Sequence, residues 1–148
     1  MKHDAVMLMG RIHELTQKWL RGELASAGMP GVAPSHGDVL ALLFTKGEAT
    51  MHELAAFAHR TKATTTVLVD KLEAMDLVRR AKSGNDARTK VVVLTERGEA
   101  LKEDFERISN KLVSMVYAPI GKTGGEKLER LLNKVLASLE NNKERTNR

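Results

Sequence analysis

The chain has 148 residues, enough for one ordinary domain, and its 42% hydrophobic and 29% charged residues indicate a real apolar core rather than wholesale disorder. It contains no cysteine, which excludes disulfides, thiolate metal sites, cysteine nucleophiles and thiol redox sensing. The net charge is +5, and residues 59–90 carry +4 of it, with eight Lys and Arg against four Asp and Glu. This charge suggests a polyanionic partner, and from charge alone a solvated basic surface is an equal alternative.

No apolar run reaches the roughly 18 residues that a membrane-spanning helix needs, and the N-terminus lacks the apolar core of a signal peptide. We therefore expect a cytoplasmic protein that has no membrane partner.

The first predicted element is a helix over residues 4–27, which Gly28 and the prolines and glycines after it end. Its apolar positions recur at helical spacing on one face: Leu8, Ile12, Leu15 and Trp19. A second helix, capped by Ser35 and ended by Gly47, is apolar nearly all round, so it should be buried.

Thr50 and Glu53 have the spacing of a capping box that opens a short third helix, which should end near Ala58. A fourth helix is predicted over residues 61–75, with Thr65, Leu68, Leu72 and Met75 on its buried face. A short helix, a tight turn and an amphipathic helix that begins with small polar residues and a lysine form a helix-turn-helix. Its second helix can enter a major groove by its N-terminal end.

Residues 77–80 and 90–94 are predicted to be strands, joined by a polar loop with Ser-Gly-Asn-Asp turn chemistry. A hairpin with a basic loop directly after a helix-turn-helix is a wing, and an arginine on such a loop can enter a minor groove. Spacing leaves open which of Arg79 and Arg80 faces DNA and which faces a carboxylate.

Thr95 is predicted to cap a long fifth helix, and Gly124-Gly125 precedes a sixth helix. The terminal helices are too apolar on one face to stand alone, so we expect them to pack against a second copy. The alternative is that they pack only within one chain.

The predicted fold class is α+β, mostly α: a winged helix-turn-helix with N- and C-terminal dimerisation helices in a single domain over residues 1–148. Residues 1–34 and 96–140 would form the dimerisation helices and residues 35–95 the winged-helix module. Residues 141–148 would be a frayed tail.

The segment from Asp86 to Gly98 is similar to the wing signature of the MarR family of bacterial winged-helix transcription regulators: D-x-R, an apolar strand, then L-T-x-x-G. Residues 68–73 with 77–80 resemble the end of that family's recognition helix and its first wing strand. Asp76 stands where the family usually has glycine, and Val67 where a basic residue is common. Asp tolerates the left-handed backbone, so we expect the turn to survive.

The resemblance implies a homodimer that binds double-stranded DNA at a pseudo-palindromic operator and regulates transcription as a repressor. Arg88 would enter the minor groove, with Asp86 supporting the wing. The other DNA-binding residues would face the major groove or neighbour phosphates: Lys62, Thr64 and Thr66 in the first group, and Lys71, Lys82 and Lys90 in the second.

The family's effector pocket lies between the dimer helices and the DNA-binding module. His13, Trp19 and His36 could line such a pocket for a small aromatic or anionic effector, although a lone Trp is more often a core anchor. The five histidines lack metal-ligand spacing, so neither a metal nor a cofactor is expected.

No phosphate-binding loop, nucleophile elbow or clustered acid pair is present, so the chain is not expected to be an enzyme. The competing interpretation is a winged helix that serves as a protein-interaction module or structural dimer without specific DNA binding.

Overall fold

The computed structural model describes residues 4–146 and their side chains through residue 143. It confirms the predicted α+β, mostly helical winged-helix fold. The elements in chain order are α1 (Ala5–Ser26), a 3₁₀ turn (Pro34–His36), α2 (Gly37–Lys46), β1 (Glu48–Ala49), α3 (Met51–Phe57), α4 (Lys62–Ala74), β2 (Val78–Lys82), β3 (Lys90–Leu94), α5 (Glu96–Glu99), α6 (Lys102–Tyr117) and α7 (Gly121–Thr146).

The three strands form one antiparallel sheet in the order β1-β3-β2. The wing hairpin is in register from Val78 opposite Leu94 to Lys82 opposite Lys90. Strand β1 adds its two residues to the other edge of β3, with Glu48 opposite Val93. β1 is absent from the sequence analysis because two residues are too few to carry a period-two pattern.

The chain divides into two compact units, residues up to Ile108 and residues from Ser109. The buried core lies in the first unit, where α2, α3, α4 and the sheet supply fully buried side chains: Leu40, Leu43, Leu54, Leu72, Val39, Val69, Val78 and Val92. Burying each such side chain stabilises the fold by roughly 1.5–3 kcal/mol. The prediction that α2 is buried is confirmed.

Helices α1, α3 and α4 end in the same way, with a residue of positive φ just beyond the last turn. The next residue donates its N–H to the carbonyl five positions earlier, which satisfies a terminal carbonyl of the helix. The pairs are Met29 to Leu24 at 2.9 Å, Arg60 to Ala55 at 3.0 Å and Leu77 to Leu72 at 3.0 Å. The residues of positive φ are Gly28, His59 and Asp76, so the expectation for Asp76 is confirmed.

The prediction that Ser35 caps α2 is wrong. A 3₁₀ turn precedes the helix, and His36 occupies the position before its first residue. Pro34 favours this turn because its fixed φ suits the first position of a helical segment. The imidazole Nδ1 of His36 accepts the backbone N–H of Ala33 at 2.9 Å.

The single long helix predicted after Thr95 is interrupted. Thr95 does cap α5, accepting the N–H of Gly98 at 3.0 Å. However, the N–H of Leu101 bonds three residues back, to the carbonyl of Gly98 at 3.1 Å, and this tighter turn separates α5 from α6.

The predicted start of the last helix is also wrong. Helix α7 begins at Gly121, so Gly124 and Gly125 lie inside its first turns. A Cβ on Gly125 would come within 2.5 Å of the Tyr117 ring, so this glycine allows a close approach rather than breaking the helix. Helix α7 continues to Thr146, past residue 140 where the sequence indicated a polar tail.

Apolar side chains on the terminal helices are exposed in the single chain. On α1 these include Leu8, Ile12 and Leu15, and on α7 they are Leu128, Leu131, Leu132, Val135, Leu136 and Leu139. Trp19, by contrast, packs against the core. None of the helices in the described part of the chain could span a lipid bilayer.

Candidate nucleic-acid interface

Helix α4 begins with a network of threonine hydroxyls. The Thr61 hydroxyl accepts the N–H of Thr64 at 3.1 Å and donates to the Thr64 hydroxyl at 3.0 Å. The Thr66 hydroxyl donates to the carbonyl of Lys62 at 2.9 Å. The first turn of the helix is thus held by its own side chains, without a carboxylate that would repel a phosphate.

One face of α4 is buried and the opposite face is open to solvent. Thr65, Leu68 and Leu72 are buried as predicted, and Met75 is half-buried. The residues that the sequence places toward DNA are exposed or, for Thr66, half-buried: Lys62, Thr64, Thr66 and Lys71. Val67, which the sequence places only at the margin of the buried face, is 53% exposed.

The wing carries Arg88 at its tip, with 92% of the side chain exposed. Asp86 accepts the backbone N–H of Arg88 at 3.0 Å and its Nε at 3.2 Å. The Arg88 guanidinium and N–H hold the pKa of Asp86 below its usual value. The loop is closed by the N–H of Ser83 donating to the carbonyl of Thr89 at 2.8 Å, so the arginine projects from an ordered turn.

Glu48 on β1 fastens the other side of the wing. Its carboxylate accepts the Ser83 hydroxyl and, at 3.1 Å, the N–H of Gly84. These two donors lower the pKa of Glu48. No local sequence pattern predicts this contact, because 35 residues separate the partners and β1 is too short to show a pattern.

Arg80 forms ion pairs with two carboxylates on α4. Its guanidinium contacts Asp70 at 2.7 Å and Glu73 at 2.9 Å, and its N–H donates to Glu73 at 3.2 Å. Arg80, rather than Arg79, is therefore the arginine that faces carboxylates, and its ion pairs tie α4 to β2. Among the described residues, Lys62, Lys82 and Lys90 have no ion-pair partner, so their charges are available to phosphates.

The three residues suggested for an effector pocket lie in different surroundings. His13 is exposed on α1, Trp19 packs on the core and His36 is buried before α2. The Nε2 of His36 has no hydrogen-bond partner. A cleft of about 320 Å³ opens between the residues after α1 and the end of α4, but none of the three lines it. Their effector role stays a prediction.

The described residues contain no group of three or more His, Asp and Glu side chains that could hold a metal ion.

A helix-turn-helix whose second helix is followed by a two-stranded wing, on a three-stranded sheet closed by β1, defines a winged-helix protein. Residues 33–90, which cover the helix-turn-helix and the wing up to the start of β3, match the sequence profile of the MarR family. In this segment the chain is therefore similar to the MarR family.

One similar protein is a transcriptional regulator by name. The HTH-type transcriptional regulator MgrA of Staphylococcus aureus is 24% identical over 107 residues, which are 72% of this chain and 71% of MgrA. The structure of a Staphylococcus aureus MepR–DNA complex matches with a TM-score of 0.76 at 24% identity, covering 89% of this chain and 94% of that one.

A third comparison is with CouR from Rhodococcus jostii RHA1 bound to p-coumaroyl-CoA. Its TM-score is 0.76 at 22% identity, and the match covers 90% of this chain and 92% of CouR. At these identities the two structures support the fold of this chain.

Proposed function

We propose that the chain is a homodimeric transcriptional regulator that binds a pseudo-palindromic operator in duplex DNA as a repressor. The observation that carries the proposal is the exposed Arg88, held by Asp86 on a wing beside a recognition helix that begins with Lys62. This arrangement pairs a minor-groove probe with a major-groove helix in one basic module.

Each residue of the interface has a proposed part in binding. Lys62, Thr64 and Thr66 would face base edges in the major groove, and Arg88 the minor groove, with Asp86 setting its direction. Phosphate contacts would come from the remaining lysines, whose charge acts on any sequence: Lys71, Lys82 and Lys90. In a dimer, two-fold symmetry would set the half-sites about one helical turn of DNA apart.

The homodimer is proposed from the exposed apolar side chains of α1 and α7. A row of exposed Leu and Val along a 26-residue helix is costly in water and is typical of an interface between subunits.

Release by a small aromatic or anionic effector is part of the proposal. CouR, with the same fold, is bound to p-coumaroyl-CoA, and a ligand that binds one dimer geometry better than another would shift the population between them. A screen of aromatic acids and their thioesters for loss of DNA binding tests this part. Trp19→Phe and His36→Gln would report whether those side chains contribute.

The decisive experiment is a titration of the protein against DNA from the region upstream of its own gene, with scrambled DNA as the comparison, at two salt concentrations. We expect selective binding whose affinity falls steeply with salt, by a log–log slope of about −0.9 for each phosphate contacted. Equal and weak binding to both DNAs would instead favour the protein-interaction module.

Arg88→Ala should weaken operator binding by about fivefold or more, because an arginine in a DNA groove contributes on the order of 1–3 kcal/mol. Arg21→Ala is the matched control, since it removes the same charge from an exposed position on α1 outside the wing. Thermal unfolding of both variants should equal that of the parent. An Arg88→Ala variant with unchanged affinity would contradict the wing assignment.

A further inference from the structure

Helix α4, the proposed recognition helix, carries an apolar side chain on its solvent-exposed face. Neither packing in the core nor the helical propensity of that residue explains it. Val67 is 53% exposed, and in the winged-helix module only Phe57, at 49%, is a comparably exposed large apolar residue among those described. A β-branched residue is a mediocre helix former, and its exposed methyls gain nothing from the core. The next two residues, Leu68 and Val69, are buried, so the same helix has a face that packs on the core.

The polar groups beside Val67 have little capacity left to donate hydrogen bonds to bases. The Thr66 hydroxyl donates its proton to the carbonyl of Lys62 and the Thr61 hydroxyl donates to that of Thr64, so of these three hydroxyls only Thr64 keeps a proton for a base. Between Lys62 and Ala74 the helix contains no Arg, Asn or Gln, so apart from Lys62 and Lys71 it lacks the side chains that read guanine or adenine by paired hydrogen bonds. The open face therefore presents mainly methyl groups: Ala63, Thr64 and Val67.

The charges around this apolar surface indicate what it meets. Lys62 lies five residues before Val67 and Lys71 four residues after it, and both are exposed. A protein groove that received Val67 would have no need of lysines on both sides, whereas the major groove of DNA offers phosphates at its edges and thymine 5-methyl groups on its floor.

We propose that Val67, together with Ala63, determines sequence specificity by contacting thymine 5-methyl groups in the major groove. This inference rests on the proposed function and adds to it the chemical group that is recognised. It places methyl contacts, rather than bidentate hydrogen bonds, at the centre of each half-site.

The test begins with selection of binding sites from a randomised duplex pool with the full-length protein. Each thymine of the selected duplex is then replaced singly by deoxyuridine, which keeps the base pair and removes only the 5-methyl group. At one or two positions in each half-site we expect the parent to lose about fourfold in affinity, the value for one buried methyl group.

Val67→Ala should weaken binding to the thymine duplex and make the deoxyuridine replacement neutral at the position it contacts. Val67→Thr keeps one of the two methyl groups, so it should retain an intermediate discrimination. Lys71→Ala, at a proposed phosphate contact, is the control: it should weaken binding to both duplexes by the same factor and leave the thymine-to-uracil ratio unchanged. Since Val67 is exposed, thermal unfolding of its variants should match the parent.

Selective binding with no sensitivity to deoxyuridine at any position would overturn the methyl readout and leave the proposed function intact. Undiminished discrimination by Val67→Ala would overturn the part assigned to this residue. If the pool yields no enriched sequence, the proposed function and this inference fail together.

Discussion

At the scale of the residue, His36 has the most constrained environment among the described histidines. It is the buried last residue of the 3₁₀ turn, which contacts α4; its Nδ1 accepts the N–H of Ala33, and its Nε2 has no partner. Burial and the nearby positive charge of Lys71 both lower the pKa of His36, so the folded chain keeps the imidazole neutral. Protonation of Nδ1 would also remove the acceptor that closes the turn.

The free energy of unfolding should therefore fall as the pH drops below about 6.5, where the unfolded chain binds a proton that folded His36 resists. The loss should level off below the folded pKa. In His36→Gln this part of the pH dependence should disappear, as measured by urea unfolding between pH 5 and pH 8. His52→Gln, an exposed histidine on α3, should keep the parent's slope, and an equally steep slope in His36→Gln would refute the assignment.

At the scale of the element, the start of α5 is fastened to the turn after α4. The carbonyl of Leu77 accepts the N–H of Thr95 at 3.0 Å, and the Thr95 hydroxyl donates to the carbonyl of Asp76 at 2.6 Å. Gly98 lies so close that a Cβ there would come within 2.0 Å of the Leu77 carbonyl oxygen. The glycine is thus required for contact between α5 and the turn that leads into the wing.

Gly98→Ala should destabilise the protein by about 1–3 kcal/mol or more, because the atom it meets belongs to the backbone and cannot rotate away. Gly22→Ala is the matched control: nothing lies within 4 Å of its added methyl, and Ala is the better helix former by up to about 1 kcal/mol. Denaturant midpoints should move in opposite directions. Equal midpoints in the two variants would show that the contact between α5 and the turn after α4 does not contribute to the free energy of unfolding.

The element scale also shows which features the sequence predicts. The starts at Thr50, Thr61 and Thr95 and the ends at Gly28 and Gly47 were predicted, since each depends on contacts within a few residues. Strand β1, the Glu48 contact to the wing and the partners of Arg80 depend on residues seven to about 45 positions apart. No local pattern encodes them.

For the candidate interface, the basic segment and the exposed face of α4 were predicted from charge and helical period. The exposure of Val67 was not, because at the margin of a helical face the period alone cannot decide between core and solvent. The split between α5 and α6 was missed for a related reason: the apolar period continues across it.

At the scale of the whole molecule, the single chain leaves its two terminal helices with apolar side chains in water. On α7, Leu131, Leu132 and Val135 are among the exposed residues. Each would stabilise a dimer by roughly 25 cal/mol for every Å² of apolar surface it buries there.

Leu132→Glu should therefore convert the proposed dimer to a monomer at micromolar concentration, as measured by analytical ultracentrifugation, and should weaken the proposed operator binding with it. Asn133→Glu adds the same charge one position along the helix, at an exposed polar residue, and should leave the dimer intact. A Leu132→Glu protein that still sediments as a dimer would show that α7 does not form the interface.

Lys82 and Lys90 stand directly opposite each other where the wing loop leaves the sheet. Cross-strand neighbours share a face of a sheet, so the two ammonium groups repel each other in the DNA-free protein. A phosphate near both would offset that repulsion, so its relief would contribute part of the free energy of DNA binding. Added salt would then have two effects: it would screen the repulsion between the two lysines in the DNA-free wing, and it would weaken the attraction between the wing and the DNA.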